Sequence, residues 1–166
     1  DTYHISIGQG YMLTTPIQVN AWTNVVANGG RQCRPTILKN DSSNGNTCRD
    51  FGIPKDTVNL VMTGMRDACD TGGTGWPFFG FGIKKPIPGA GTEASPSAAT
   101  TRIRIPVACK TGTAEFGDED TDPHAWFTAF APIPKAVAGA VSDDSITGEP
   151  ELSVSVLVEN EGEGSD

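Results

Sequence analysis

An α+β fold is what this chain predicts, on three observations. Two stretches of helical hydrophobic spacing lie in the first half, three strand-like runs lie in the second, and the links between those runs lack helical patterning. A parallel crossover needs a dozen or more residues, usually helical, so the strands are expected to be antiparallel neighbours. The architecture that follows is three antiparallel strands packed with helices.

The elements can be taken in order. Thr15 suits a helix N-cap, Pro16 the first helical position, and Gln18 can reach back to the cap amide. Ile17, Ala21, Trp22, Val25 and Val26 then recur at helical spacing, and Asn28-Gly29-Gly30 supplies a left-handed stop. A helix is predicted over 16–28. The polar run Asn40-Asp41-Ser42-Ser43-Asn44-Gly45-Asn46 reads as a hairpin or loop tip. A second helix opens at Pro54, carries Val58, Val61, Met62 and Met65 on one face, and ends near Cys69. Asp56 near its start and Arg66 near its end suit the helix dipole. Beyond it, residues 72–81 are turn-rich and aromatic. Residues 89–101 are almost wholly Gly, Ala, Ser, Thr and Pro, too poor in apolar area to offset their ordering entropy, so a mobile loop is expected over about 82–102. The strand candidates are 103–111, 124–131 and 152–158, the last alternating cleanly before it turns fully apolar.

Composition bounds the function. At 166 residues one domain with a real core is expected. The net charge is −8, and 12 scattered Lys and Arg form no basic stripe, which argues against a nucleic-acid partner. No run of 18 apolar residues exists, so no membrane span is expected. The chain begins at Asp1 and reads as part of something longer. Cys33, Cys48, Cys69 and Cys109 are spaced too widely for a C-x-x-C motif. They fit either disulfides or four small buried side chains. The acidic run Gly117-Asp118-Glu119-Asp120-Thr121-Asp122 lacks the ligand spacing of a cation loop and reads as a solvated turn, so neither a metal nor a cofactor is expected.

The chemistry concentrates at Lys110-Thr111-Gly112-Thr113, at the end of a predicted strand. One cation, two hydroxyls and a glycine admitting close backbone approach can hold a carboxylate and aim an amide at an oxyanion. Alone, this tetrad reads far more readily as a strand end with a turn glycine.

Its surroundings add specificity. Ile7-Gly8-Gln9-Gly10-Tyr11 leads into Thr15-Pro16-Ile17-Gln18, followed by Ala27-Asn28-Gly29-Gly30, Arg34-Pro35 and Gly64-Met65-Arg66. Then come Val107-Ala108-Cys109-Lys110-Thr111-Gly112-Thr113-Ala114-Glu115, His124-Ala125-Trp126-Phe127 and Val156-Leu157-Val158-Glu159-Asn160. In this order the blocks resemble the penicillin-binding proteins, and the Gly-Gln-Gly opening is more similar to elongation-type class B members than to division-type ones. The resemblance spans the chain apart from about 70–102 and 133–150, which look like loop insertions.

That resemblance implies a partial fold of the serine transpeptidase and β-lactamase kind, and a serine D,D-transpeptidase activity. Such enzymes cross-link peptidoglycan stem peptides ending in D-Ala-D-Ala, work outside the cytoplasmic membrane, and are acylated by β-lactams. Of the family's S-x-x-K, S-x-N and K-T-G motifs, only the last is present here. No serine is followed three positions later by lysine, and Ser42-Ser43-Asn44 falls after the Gly-Gln-Gly block, the wrong place for S-x-N. The chain is thus expected to be the C-terminal portion of one transpeptidase domain, trimmed at both ends, with its missing N-terminal half as a partner. By the resemblance, Lys110 is a catalytic electrostatic and proton-relay group facing the absent S-x-N serine. Thr111 and Thr113 bind the substrate carboxylate, Gly112 lets substrate approach, and the Thr113 amide is an oxyanion donor. The competing expectation is a non-catalytic β-lactam or peptidoglycan sensor.

Residence outside the cytoplasm, which the resemblance implies, makes disulfides possible, with Cys33–Cys48 first and Cys69–Cys109 as the remaining pair. Without the family's first strands and closing helix, a sheet face and an edge would lie bare, so the isolated chain is expected to dimerise, swap elements or need its other half. His124 and Trp126 read as structural. Trp76, Phe78, Phe79 and Phe81 either rim a substrate groove or anchor a long loop, and both readings stand open.

Overall fold

The computed structural model describes residues 2–37, 48–86, 100–117, 121–139 and 145–165. A short helix, α1 (Thr2–Ser6), precedes α2 (Pro16–Ala27). The cap of α2 forms as its sequence requires. Thr15 N–H donates to Gln18 Oε1 at 2.9 Å, and Gln18 N–H donates back to Thr15 Oγ1. Gly29 and Gly30 close the helix at φ +68° and +94°. The hairpin β1 (Arg31–Cys33) and β2 (Cys48–Asp50) follows, and Cys33 pairs with Cys48 both in register and by a disulfide. Its tip, with Ser42-Ser43-Asn44, lies outside the described residues.

Helix α3 (Lys55–Ala68) then delivers its buried Val58 and Met62 to the core. The next elements are β3 (Gly82–Pro86), β4 (Thr100–Arg104), β5 (Ala108–Ala114), β6 (His124–Ala131) and β7 (Leu152–Val158). β5, β6 and β7 form one antiparallel sheet in that order, with Thr111 opposite Phe127 and Phe127 opposite Val156. One face meets α2 and α3, where Ala27, Val58, Met62, Ala108, Phe130, Ile133, Val137 and Ala138 form the main core. Arg66 locks α3 to the chain after β6, its Nη1 donating to the Val137 carbonyl at 2.6 Å.

Two expectations need correction. The run 103–111 is not one strand. Ile103 and Arg104 end β4, and β5 starts afresh at Ala108, because Pro106 has no N–H to give a ladder. Nor is 82–102 a loop throughout. Its ends are the paired strands β3 and β4, in register from Gly82 with Arg104 to Pro86 with Thr100. The Gly- and Ala-rich stretch 87–99 between them lies outside the described residues. Backbone pairing at the two ends needs little side-chain burial, which is why composition hid it.

Candidate active site

Strand β5 carries the K-T-G tetrad on the outer edge of the sheet, paired with β6 on one side only among the described strands. Side chains alternate along a strand, so Lys110 and Gly112 share one face while Thr111 and Thr113 share the other. Lys110 is exposed, and its ammonium donates to the Thr111 carbonyl. Gly112 sits opposite Trp126, where an added Cβ would come within 3.3 Å of the Trp126 Cβ. Thr113 is exposed, and its hydroxyl accepts from the Gly164 amide at 3.2 Å. Thr111 is buried, and its hydroxyl lies 2.7 Å from that of Thr74.

The open edge of β5 is met by a residue quoted above only as a family mark. Gln9 Nε2 donates to the Thr113 carbonyl at 3.0 Å, across 104 residues of chain. Gly8 and Gly10 flank it at φ +78° and +89°, conformations that let the loop turn Gln9 onto the strand. In an antiparallel ladder a residue's N–H and C=O turn to the same side, so the Thr113 amide faces the edge that Gln9 also faces. An edge amide of this kind is a free hydrogen-bond donor for a developing negative charge.

Behind β5 stands the turn that follows α3. Cys69, the α3 C-cap, is bonded to Cys109, the residue just before Lys110, and both are buried. Gly75 N–H donates to the Ala68 carbonyl at 2.8 Å, which brings Thr74 over β5. Asp70 pairs with Arg104 of β4 at 3.0 Å. The Thr71 amide, donating at 2.8 Å, holds the Asp70 carboxyl below its usual range; burial opposes this, and Arg104 adds to it.

The aromatic residues divide between the two open readings in favour of anchoring. Phe78 stacks on Phe127 with centroids 4.9 Å apart, and the Trp76 indole donates to the Ser165 carbonyl at 2.9 Å. Phe78 and Phe127, together with Thr111 and Gly164, border a cavity of about 200 Å³ on the sheet face away from the helices. His124 stacks on Phe116 and accepts from the Asn160 amide, which gives it structural work. Of the acidic run, 118–120 lie outside the described residues. No group of three or more His, Cys, Asp or Glu able to hold a metal occurs among the described residues.

An edge strand bearing K-T-G, backed by helices on an antiparallel sheet, fits the partial fold that the resemblance to the penicillin-binding proteins implies. The family described as the penicillin-binding protein transpeptidase domain matches residues 1–152, and the chain belongs to that family. It is 27% identical to the peptidoglycan D,D-transpeptidase MrdA of Haemophilus influenzae, over 99% of this chain and 23% of that protein. It is 31% identical to the peptidoglycan D,D-transpeptidase PbpA of Mycobacterium tuberculosis, over 93% of this chain and 26% of that protein. The chain therefore spans about a quarter of the length of these relatives. Its fold is shared with penicillin-binding protein A of M. tuberculosis, solved as a ceftriaxone acyl-enzyme complex, at a TM-score of 0.59 and 24% identity. That likeness covers 98% of this chain and 31% of the other. No described helix is long and apolar enough to cross a membrane.

Proposed function

We propose that this chain carries the K-T-G portion of a peptidoglycan D,D-transpeptidase, acting outside the cytoplasmic membrane through a serine that lies beyond these residues. The serine oxygen would attack the carbonyl between the two terminal D-alanines, expel the last one, and pass the acyl group to an amine of a neighbouring stem peptide. A β-lactam would stop at the acylated serine.

The observation that carries this reading is the Thr113 amide on the open edge of β5, with an exposed cation three residues before it. The Thr113 N–H serves as one oxyanion donor, the second belonging to the nucleophile. Lys110 presents its charge where an S-x-N serine can share it, easing proton relay during acyl transfer. The exposed Thr113 hydroxyl makes the nearer contact with the terminal carboxylate. Thr111 supports it from beneath with the valence that Thr74 leaves free. Gly112, on the face that Lys110 shares, lets substrate backbone approach the strand.

Intact mass after incubation with benzylpenicillin tests the reading. The full-length protein should gain one penicilloyl group on a serine outside these residues, and this chain alone should gain none. Lys110→Ala should slow acylation about a hundredfold. Thr113→Val keeps the backbone donor and should cost only about tenfold. An adduct on a serine of this chain would overturn the assignment. Tight but wholly non-covalent binding by the full protein would favour the sensor instead.

A further inference from the structure

The K-T-G strand is held from behind by the turn that follows α3. Cys109, with no exposed surface, is the residue immediately before Lys110, and its sulfur is bonded to Cys69 at the end of α3. A Cβ on Gly75 would sit 2.7 Å from the Cys109 sulfur and 3.0 Å from the Cys69 sulfur, so only glycine lets the backbone lie against that bond. A Cβ on Gly73 would sit 2.3 Å from the Ala68 carbonyl oxygen and 2.4 Å from that of Asp67. The segment is thus wedged on the last turn of α3, and Thr74 between the two glycines places its hydroxyl on Thr111.

The other disulfide offers the contrast. Cys33–Cys48 joins two residues already paired across a hairpin, remote in sequence from the tetrad. Cys69–Cys109 instead joins a helix end to an edge strand over 40 residues, and edge strands have a ladder partner on one side only. We propose that the Cys69–Cys109 disulfide and Thr74 form a positioning clamp for the K-T-G strand, on which the rate of acyl transfer depends. Displacements near an ångström are enough to slow an aligned reaction strongly. Cleaving the bond takes two electrons and two protons from a dithiol, which closes its own disulfide and leaves two thiols. Burial of both sulfurs shields the bond from such a reagent in the folded protein.

The inference rests on the transpeptidase reading, and the test separates the two. In the full-length protein, benzylpenicillin acylation is resolved into the affinity of the first complex and the rate of the chemical step. Cys69→Ala with Cys109→Ala should lower the rate about tenfold or more while affinity changes less than about twofold. Cys33→Ala with Cys48→Ala should leave both at the starting values. Thr74→Val should lower the rate in the same sense, and Thr74→Ser should restore it, which decides the matter even if the cysteine variant fails to fold. Amide exchange at 110–114 supplies an arm free of penicillin, expected to be faster in Thr74→Val than in the parent. A parent protein that is never acylated sinks the transpeptidase reading alone, and the exchange arm then judges the clamp. Four free thiols in the untreated protein, a Cys69→Ala and Cys109→Ala variant acylated at the parental rate, or unchanged exchange in Thr74→Val would overturn the clamp.

Discussion

The two faces of β7 invert the usual rule. Ser153 and Ser155 are turned towards α2 and are half-buried, while Val154, Val156 and Val158, turned the other way, are each more than 40% exposed. On the covered face the serines are not stranded. Thr23 and Thr128 hydroxyls lie 2.8 Å apart, Thr128 and Ser155 lie 2.7 Å apart, and Asn20 takes the Ser153 hydroxyl at 3.3 Å. Beside this polar seam sits the fully apolar Phe130 and Ile133 core. Among the described residues, the valine face is covered in part, near β5 by Cys69, Phe78 and the turn between them, and past a cavity by Gly164 and Ser165. A helix can dock on a polar seam if every hydroxyl finds a partner, whereas a valine row gains nothing until something lies on it.

The largest effect should come from cutting the two faces unequally. Phe130→Ala empties a closed site and should cost about 3–5 kcal/mol of unfolding free energy. Val156→Ala, on the bare face, should stay within about 1 kcal/mol. Urea denaturation of both variants checks the ratio, and equal losses would mean that the valine face is covered. The same bare row should make the isolated chain self-associate. Val154→Lys with Val156→Lys should move its sedimentation towards monomer, and a wild-type chain already monomeric at high concentration would break the comparison.

A middling effect belongs to the seam. Thr128→Val keeps the shape but removes the hydroxyl that joins Thr23 to Ser155, and should cost about 1 kcal/mol. Thr23 retains its bond to the Val19 carbonyl, which limits the loss. Thermal melts of Thr128→Val and Thr128→Ser measure it, the serine variant recovering most of the stability. No loss in the valine variant would show that the seam is idle.

How much of this was legible depends on how far apart the interacting residues are. The cap of α2 was readable because Thr15, Pro16 and Gln18 settle it among themselves. The K-T-G strand and its partners β6 and β7 were readable from period and composition. Period two says which residues of 152–158 share a face, but not which face is inward, and the serines' partner on α2, Asn20, is more than a hundred residues away, as is Thr23 from Thr128. The same distance hid the meeting of Gln9 with Thr113. Thr74 was passed over inside a glycine-rich turn, since nothing local announces a hydroxyl aimed at Thr111. The break at Pro106 was readable, because a proline removes a ladder donor and so interrupts a run of strand pairing.

The smallest effect lies at the margin of the covered part of the valine face, where Asp70 follows Cys69 and holds Arg104 of the outer hairpin. The Thr71 amide, assisted by Arg104, keeps the Asp70 carboxyl more acidic in the folded protein than in the unfolded chain. A group shifted in that direction contributes stability above its unfolded value, near pH 4, and loses it as the pH falls through the lower folded value. Both side chains are about a third exposed or more, so solvent screening should hold the contribution below about 1 kcal/mol. Asp70→Asn keeps an oxygen for the Thr71 amide and removes only the charge. Its stability should therefore trail the parent slightly at neutral pH and converge with it as the solution is acidified below about pH 4. Raising the salt at pH 7 should shrink the same gap. A gap that widened on acidification would place the stabilising form of Asp70 on the protonated side, and the hairpin would then be tied to the Cys69 turn by something other than this charge pair.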